Sequence, residues 1–350
     1  MLSVGIVGAG GIAAMHARHW RADGRARIAA IADADPARAR RFAEAHAPGA
    51  LVVPDLDALL AQPVTAVDIC TPPWLHAPQA RAVLAAGRHA ILEKPLAPTA
   101  AALDGLIAAE AAAGRVAVPV LQNRLGLGPR QLRAVQRAGL CGAFRHALIE
   151  TSWRRTADYY AVPWRGRLAT ELGGCLTGLA IHQLDVVLGF APPLRAAQAH
   201  LATLAHRIEV EDCAGALLTC DGGGFISLLC SVHAHRETSR IRMVFADIEV
   251  EAGEAPYAWA AQPWRFTADD AAHQARLDEV LSQVQDEPVA AGADPLWTAA
   301  ARVWIDRCLG APPLDPASGA RTDLASARPG LAVLDLIHAS AGRAAAAASA

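Results

Sequence analysis

The segment Gly8-Ala9-Gly10-Gly11-Ile12-Ala13 constrains this chain more than any other, because it follows the apolar run Ser3–Val7 and opens a helix-like stretch from Ile12 to Trp20. Gly8 permits a tight turn, Gly10 leaves room for a pyrophosphate to approach the backbone, and Ala13 keeps the helix close to its strand. At Gly11 and Ile12 the helix begins, with free N–H groups facing the anion. The next apolar run, Arg27–Ala32, stops at Asp33. A carboxylate there accepts hydrogen bonds from an adenosine ribose and repels the extra phosphate of NADP, so NAD is expected over NADP. A glycine-bearing strand-to-helix turn with a surface acid is the plainer alternative.

The same rhythm continues through Leu51–Val53, Thr65–Cys70, His89–Leu92 and Val116–Leu121, with helical segments between, one of which Pro36 can start. Continuous apolar strands separated by helices indicate a parallel sheet covered on both faces. Residues 1–121 are therefore expected to form a doubly wound, Rossmann-type dinucleotide-binding domain. Beyond them the strands Phe144–Trp153, Ala196–His206, Cys213–Cys220, Gly224–Val232 and Arg240–Val250 are longer and partly alternating, and Asp221-Gly222-Gly223-Gly224 supplies a turn. The expected fold class is thus α/β followed by α+β: residues 122–339 form a predominantly antiparallel, open-faced sheet flanked by helices, for substrate binding and oligomerisation. An alanine-rich tail occupies 340–350 and is expected to fray.

At 350 residues, 53% apolar and 19% charged, the chain can bury two cores. Its 32 basic and 34 acidic side chains nearly cancel on both sides of residue 120, which argues against nucleic acid or an anionic membrane as a partner. Seven cysteines without a CxxC pair read as reduced thiols in a cytoplasmic protein. The first residues lack the basic start of a signal peptide, and charges interrupt every candidate membrane span.

Two further loops should lie at the carboxyl edge of the parallel sheet, where ligands bind: Thr71-Pro72-Pro73-Trp74-Leu75-His76 and Glu93-Lys94-Pro95. With the glycine loop, the Trp164-Arg165-Gly166 triplet and the Gly173-Gly174…His182…Asp185 segment, the chain resembles the Gfo/Idh/MocA oxidoreductases over nearly its whole length. The resemblance implies that Lys94 lies beside the reacting carbon, where an ammonium stabilises negative charge on a substrate oxygen, and that the Lys94–Pro95 bond is cis. Glu93 is the neighbour that orients or balances it. Thr71, Pro72 and Pro73 are implied to border the nicotinamide, although the family typically has Asn where Pro73 stands. His76 suits capping or packing as well as cofactor contact.

His182 is implied to be the proton-transferring group over the substrate, a task for which imidazole is suited near neutrality. Asp185 shares its helix face three residues on and could orient it, pack or act at the helix end. Polyol-oxidising relatives carry an Asp four residues before that histidine, and here the position is Gly178. Thr177, Tyr159, Tyr160, Arg165 and Glu171 are the candidates to fill the gap. Tyr159, Tyr160, Trp164 and Arg165 also provide rings and donors to hold a polar ring, and Asn123 and Arg124, which resemble the family's linker into the second domain, are expected to border the pocket.

No metal site is expected, since His233 and His235 have no third ligand at a fitting spacing. The leading reading is an NAD-dependent dehydrogenase or reductase of a secondary alcohol in a sugar, polyol or related hydroxy compound, acting as a homodimer or homotetramer. An enzyme that uses tightly bound NAD transiently, for elimination, epimerisation or glycoside cleavage, is one alternative. A catalytically inactive NAD-binding sensor or assembly protein is the other.

Overall fold

The computed structural model describes residues 1–253, 255–285 and 293–342, so most of the alanine-rich tail lies outside the described residues. The chain divides into two compact units. The first contains β1 (Leu2–Val7), β2 (Ala26–Ala32), β3 (Leu51–Val53), β4 (Ala66–Ile69), β5 (His89–Leu92) and β6 (Ala117–Pro119). They form one parallel sheet in the order β3-β2-β1-β4-β5-β6. Every residue of β1 and β4 is buried, as expected of strands covered on both faces. The intervening helices are α1 (Gly11–Ala22), α2 (Pro36–His46), α3 (Leu56–Leu60), α4 (His76–Ala85) and α5 (Ala100–Ala113). Pro36 does open α2, whose N-cap Asp35 accepts from the Ala37 and Arg38 N–H groups. This strand order places a topological switch point between β1 and β4, and ligands bind at the carboxyl ends of strands there.

The second unit contains α6 (Leu127–Arg137), α7 (Ala157–Tyr160), α8 (Leu168–Glu171), α9 (Ile181–Leu188) and α10 (Ala271–Ser282) with seven strands. These are β7 (Phe144–Arg154), β8 (Leu194–Ala202), β9 (Cys213–Cys220), β10 (Phe225–Ser231), β11 (His233–Phe245), β12 (Ile248–Glu251) and β13 (Arg265–Ala268). They form a sheet in the order β13-β12-β11-β7-β10-β9-β8, antiparallel except for the parallel β7–β10 pair. Its inner face carries Ile149, Leu218, Ile226, Leu228, Ile241 and Met243, all buried, and α9 packs on β7 and β11. The opposite face leaves Leu217, Phe225 and Leu229 exposed, with the ion pairs Arg242–Glu249 and Arg265–Glu251 toward one edge.

Two strands differ from the sequence expectation. The run Arg240–Val250 is a hairpin, because β11 ends at Phe245 and β12 starts at Ile248. The two-residue turn shifts the apolar phase by one residue, from Ile241, Met243 and Phe245 to Ile248 and Val250, and that single slip is its only mark in the sequence. The run Ala196–His206 stops at Ala202, because the Asp212 carboxylate accepts from the backbone N–H groups of Leu204, Ala205 and His206 and closes a turn. The glycine turn is as expected, with Gly222 and Gly223 at positive φ between β9 and β10.

Late in the chain, α11 (Pro295–Cys308) belongs to the first unit and packs on α1, while α12 (Arg328–Ser340) lies almost wholly in the second. Trp304 of α11 is 1% exposed and meets Trp20 of α1 with ring centroids 5.4 Å apart. All seven cysteines are free thiols, and no helix among the described residues is long and apolar enough to cross a membrane.

Candidate active site

In the first unit the loops behind β1, β2, β4 and β5 converge. Gly8 has φ +92, and a Cβ there would lie 2.7 Å from the Cys70 carbonyl and 2.8 Å from the Thr71 nitrogen. The β1 loop can therefore touch the β4 loop only as glycine. A Cβ at Gly10 or Gly11 would meet nothing within 4 Å, and α1 has neither a side-chain cap nor an acid in its first turn. Its N–H groups open onto space, with the Ile12 side chain 37% exposed beside them. Ala13, fully buried, lets the helix lie against the sheet. These residues fit the diphosphate of a dinucleotide.

Asp33 stands at the end of β2, as expected, and its carboxylate is fully engaged. Oδ2 accepts from the Ala9 N–H at 2.7 Å and from Arg38 Nε at 3.0 Å, while Oδ1 accepts from the Asp35 N–H at 2.8 Å and from Arg38 Nη2 at 2.5 Å. Burial works to raise its pKa, but Arg38 and the backbone donors prevail and hold it below the ordinary carboxylate value. Four bonds fill about the whole acceptor capacity of a carboxylate. A ribose hydroxyl must therefore displace the half-exposed Arg38, which would remain nearby as a cation. Asp33→Ala is accordingly expected to weaken NAD binding by roughly one to two decades, the worth of a charged hydrogen-bond acceptor, and to strengthen NADP binding through the released Arg38. Calorimetric titration of both nucleotides checks this; an unchanged ratio of affinities would refute it.

After β4, Pro73 opens a short 3-10 turn that leads into α4, and Thr71 Oγ1 donates to Gln79. The buried His76 ring has Nδ1 2.7 Å from the Pro95 carbonyl and Nε2 2.7 Å from the Thr71 carbonyl. Burial pushes its imidazole below the ordinary histidine value in spite of these acceptors, so one N–H serves one carbonyl at a time. His76 thus ties the β4 loop to the β5 loop from inside. Lys94–Pro95 is cis, and the Lys94 N–H donates to Glu93 Oε2 at 2.9 Å. Glu93 is 6% exposed; burial raises its pKa, but His16, Lys94 and His76 overcome this and bring it to about 2.

In the second unit, Glu211 and two glycines shape the approach to α9. Glu211 Oε1 accepts from the Gly174 and Leu176 N–H groups, and a Cβ at Gly174 would lie 1.9 Å from the Glu211 carbonyl oxygen. One π-helical turn, Leu176–Ala180, then leads into α9. Such turns are frequent at functional sites. His182 follows, half-buried, while Asp185 binds Arg124 through two bonds of 2.6 and 2.5 Å with both side chains buried. Asp185 and Arg124 thus form a charged brace at the start of the unit, next to the buried Asn123.

The loop over 159–171 is a stack of rings and guanidinium. Arg165 lies 3.8 Å from the Tyr159 ring centroid and 4.2 Å from that of Trp164, and Nη1 bonds Tyr159 Oη and Glu171 Oε1. Tyr160 meets Tyr159 edge-on at 5.0 Å and leans on His206 at 4.7 Å. Burial pushes both tyrosines and Glu171 above their ordinary values. The phenols therefore stay protonated as donors near neutrality.

Residues 2–120 match the model of an oxidoreductase family with an NAD-binding Rossmann fold, and residues 130–251 match the Gfo/Idh/MocA C-terminal domain. The chain belongs to the Gfo/Idh/MocA oxidoreductase family. Among its relatives, inositol 2-dehydrogenase of Rubrobacter xylanophilus is 38% identical over 160 residues, which is 45% of each chain. D-glucoside 3-dehydrogenase of Escherichia coli is 29% identical over 206 residues, 57% of each chain. These alignments span about half the length of the curated relatives. The WlbA dehydrogenase of Bordetella pertussis, solved with NADH and UDP-GlcNAcA, is 25% identical, with 97% of this chain and 95% of that one covered at a TM-score of 0.82.

Against the Gfo/Idh/MocA pattern, Gly178 is open: a Cβ there would meet nothing within 4 Å. The glycine is thus not imposed by packing. Sequence reasoning overlooked Glu211, whose only signal is an acid pair, Glu211-Asp212, ahead of an apolar strand. It also overlooked His16 and Asp68, which with Cys70 are the one group of three or more possible metal-ligating side chains among the described residues. His233 and His235 belong to no such group.

Proposed function

We propose that this protein is an NAD-dependent oxidoreductase of a secondary hydroxyl, or the corresponding ketone, in a sugar, polyol or related hydroxy compound. One observation carries the reading: His76 ties the loop bearing cis Lys94–Pro95 to the Thr71 loop, against which the diphosphate-type Gly8 turn packs. The lysine loop and the cofactor loop therefore form one connected frame. NAD, when bound, supplies the ring that takes or returns a hydride. The Lys94 ammonium lowers the cost of negative charge on the substrate oxygen. His182 takes the hydroxyl proton in oxidation and returns it in reduction. Tyr159, Tyr160, Trp164 and Arg165 hold the polar ring, since Arg165 is already planar between two aromatic faces and its bonds to Tyr159 and Glu171 both use Nη1.

The test is a panel of polyols and sugars with NAD at neutral and alkaline pH, following NADH absorbance, with mass analysis of cofactor and products. Sustained NADH formation with a ketone product is expected. Rearranged or cleaved product without net NADH would instead establish transient use of bound NAD, and binding without turnover would establish a sensor.

The exposed strip Leu217, Phe225 and Leu229 on the open sheet face supports pairing with a second copy of the chain. A Leu217→Asp/Leu229→Asp variant is expected to sediment at the monomer mass of 36.5 kDa while the parent sediments as a dimer or tetramer. A parent that is monomeric at micromolar concentration would overturn this. The seven free thiols support a reducing, cytoplasmic setting.

A further inference from the structure

Within the first unit, α1 and β4 bury a row of ionisable groups that the proposed reaction does not use. Asp68 stands in the central strand β4 with 0% exposure. Trp20 Nε1–H donates to its Oδ2 at 2.7 Å, and His16 Nδ1 lies 3.0 Å from both of its oxygens. On the other side of the ring, His16 Nε2 is 3.3 Å from Glu93 Oε1, an ion-pair distance rather than an aligned hydrogen bond. The second Glu93 oxygen accepts the Lys94 N–H. Cys70 Sγ completes the cluster, 3.4 Å from His16 Nδ1 and 3.5 Å from Asp68 Oδ1. Trp297 and Trp304 of α11 pack on the imidazole at 5.0 and 4.7 Å between centroids.

We propose that the His16–Asp68 pair is a positioning element for Lys94, acting through Glu93: Asp68 and Trp20 fix the ring, the ring fixes one oxygen of Glu93, and the other oxygen fixes the Lys94 backbone. This inference rests on the catalytic reading of Lys94.

The chemistry of the row supports a relay of fixed charges rather than a metal centre. Burial lowers the His16 pKa, but the Asp68 carboxylate outweighs it and holds the imidazole well above its ordinary value, while burial pushes the Cys70 thiol up to about 12. Both His16 ring nitrogens face carboxylates, Nδ1 toward Asp68 and Nε2 toward Glu93. The sequence of charges is then Asp68 negative, His16 positive, Glu93 negative, Lys94 positive. Fully buried ion pairs are poor sources of stability, and apolar replacements of similar volume are often neutral or stabilising. Their value here is geometric. Without the imidazolium, Glu93 would lose the partner on one oxygen and could turn, releasing the Lys94 amide and with it the placement of the ammonium.

The test compares Asp68→Asn, which keeps shape and removes charge, with the apolar pair His16→Met/Asp68→Leu, using myo-inositol or the panel sugar that is turned over fastest. Both are expected to lower kcat by about tenfold or more, as misplacement of a catalytic group does, with KM and calorimetric NAD affinity changed less than threefold. Hydrogen exchange at the Lys94 amide should accelerate in both, a readout independent of turnover. In a Lys94→Ala background, Asp68→Asn should cost little further kcat, because the two act as one unit. Parental kcat and Lys94 exchange in the folded apolar variant would overturn the proposal while leaving Lys94 as the catalytic group. Parental kcat in Lys94→Ala alone would instead overturn the catalytic reading and the positioning role with it. If Asp68→Asn does not fold, the apolar pair, which removes both charges, decides.

Discussion

Lys94→Ala is expected to lower kcat/KM by roughly two or more decades while NAD affinity stays near that of the parent. On the proposed reading, the magnitude follows from removing a charge that stabilises an oxygen becoming negative during hydride transfer. The spared affinity follows on the same reading, because the residues proposed for diphosphate and ribose, Gly8–Ile12 and Asp33, lie on the loops behind β1 and β2, whereas Lys94 lies behind β5. Lys94→Arg should recover little, since a planar fork does not replace a compact ammonium. Steady-state kinetics with direct NAD titration check this, and a variant that loses NAD binding in parallel with turnover would make Lys94 a cofactor-binding residue.

His182→Ala is expected to lower kcat by about two to four decades, the usual worth of a positioned general base. Oxidation needs a neutral imidazole to accept the hydroxyl proton, so the parent should slow as acid protonates the ring, and the variant should lack that acidic limb. Reduction needs the protonated ring, so in that direction the limb lost is the alkaline one. The open space at Gly178 adds a second arm. Gly178→Asp has room for its Cβ, and an added carboxylate near the imidazole should favour its protonated form and move the acid limb of oxidation to higher pH. A parental rate and pH profile in His182→Ala would assign the proton to Tyr159, Tyr160 or water.

The parallel sheet was legible because its strands are short, mostly apolar runs bounded by glycine, proline or an acid and separated by helical segments. The glycine loop was legible because three residue sizes are dictated at three positions. The second sheet was only partly so. The Ala246-Asp247 turn shows only as a one-residue slip of the apolar phase inside an otherwise continuous run, and β13, four residues long, gives no periodic signal. In the site, Asp33 was foreseen but its engagement by Arg38 was not, since Arg38 lies among other arginines of α2 that face water. His16 looks like any polar residue of an amphipathic helix until Asp68 is placed beside it, and their 52-residue separation hides that. Asp185 was weighed as a partner for His182, yet the helix spacing says nothing of Arg124, which claims it.

The attachment of α11 to the first unit sets an order on synthesis. Translation proceeds from the N-terminus, so β1 to β6 emerge long before Trp297 and Trp304 exist to cover His16 and Trp20. Until α11 has been made, the nascent sheet carries the uncovered Trp20 indole and His16 imidazole on its α1 side. The α1 face of the first unit is thus completed by a segment made after the whole second sheet, and the nascent chain exposes that face until α11 exists.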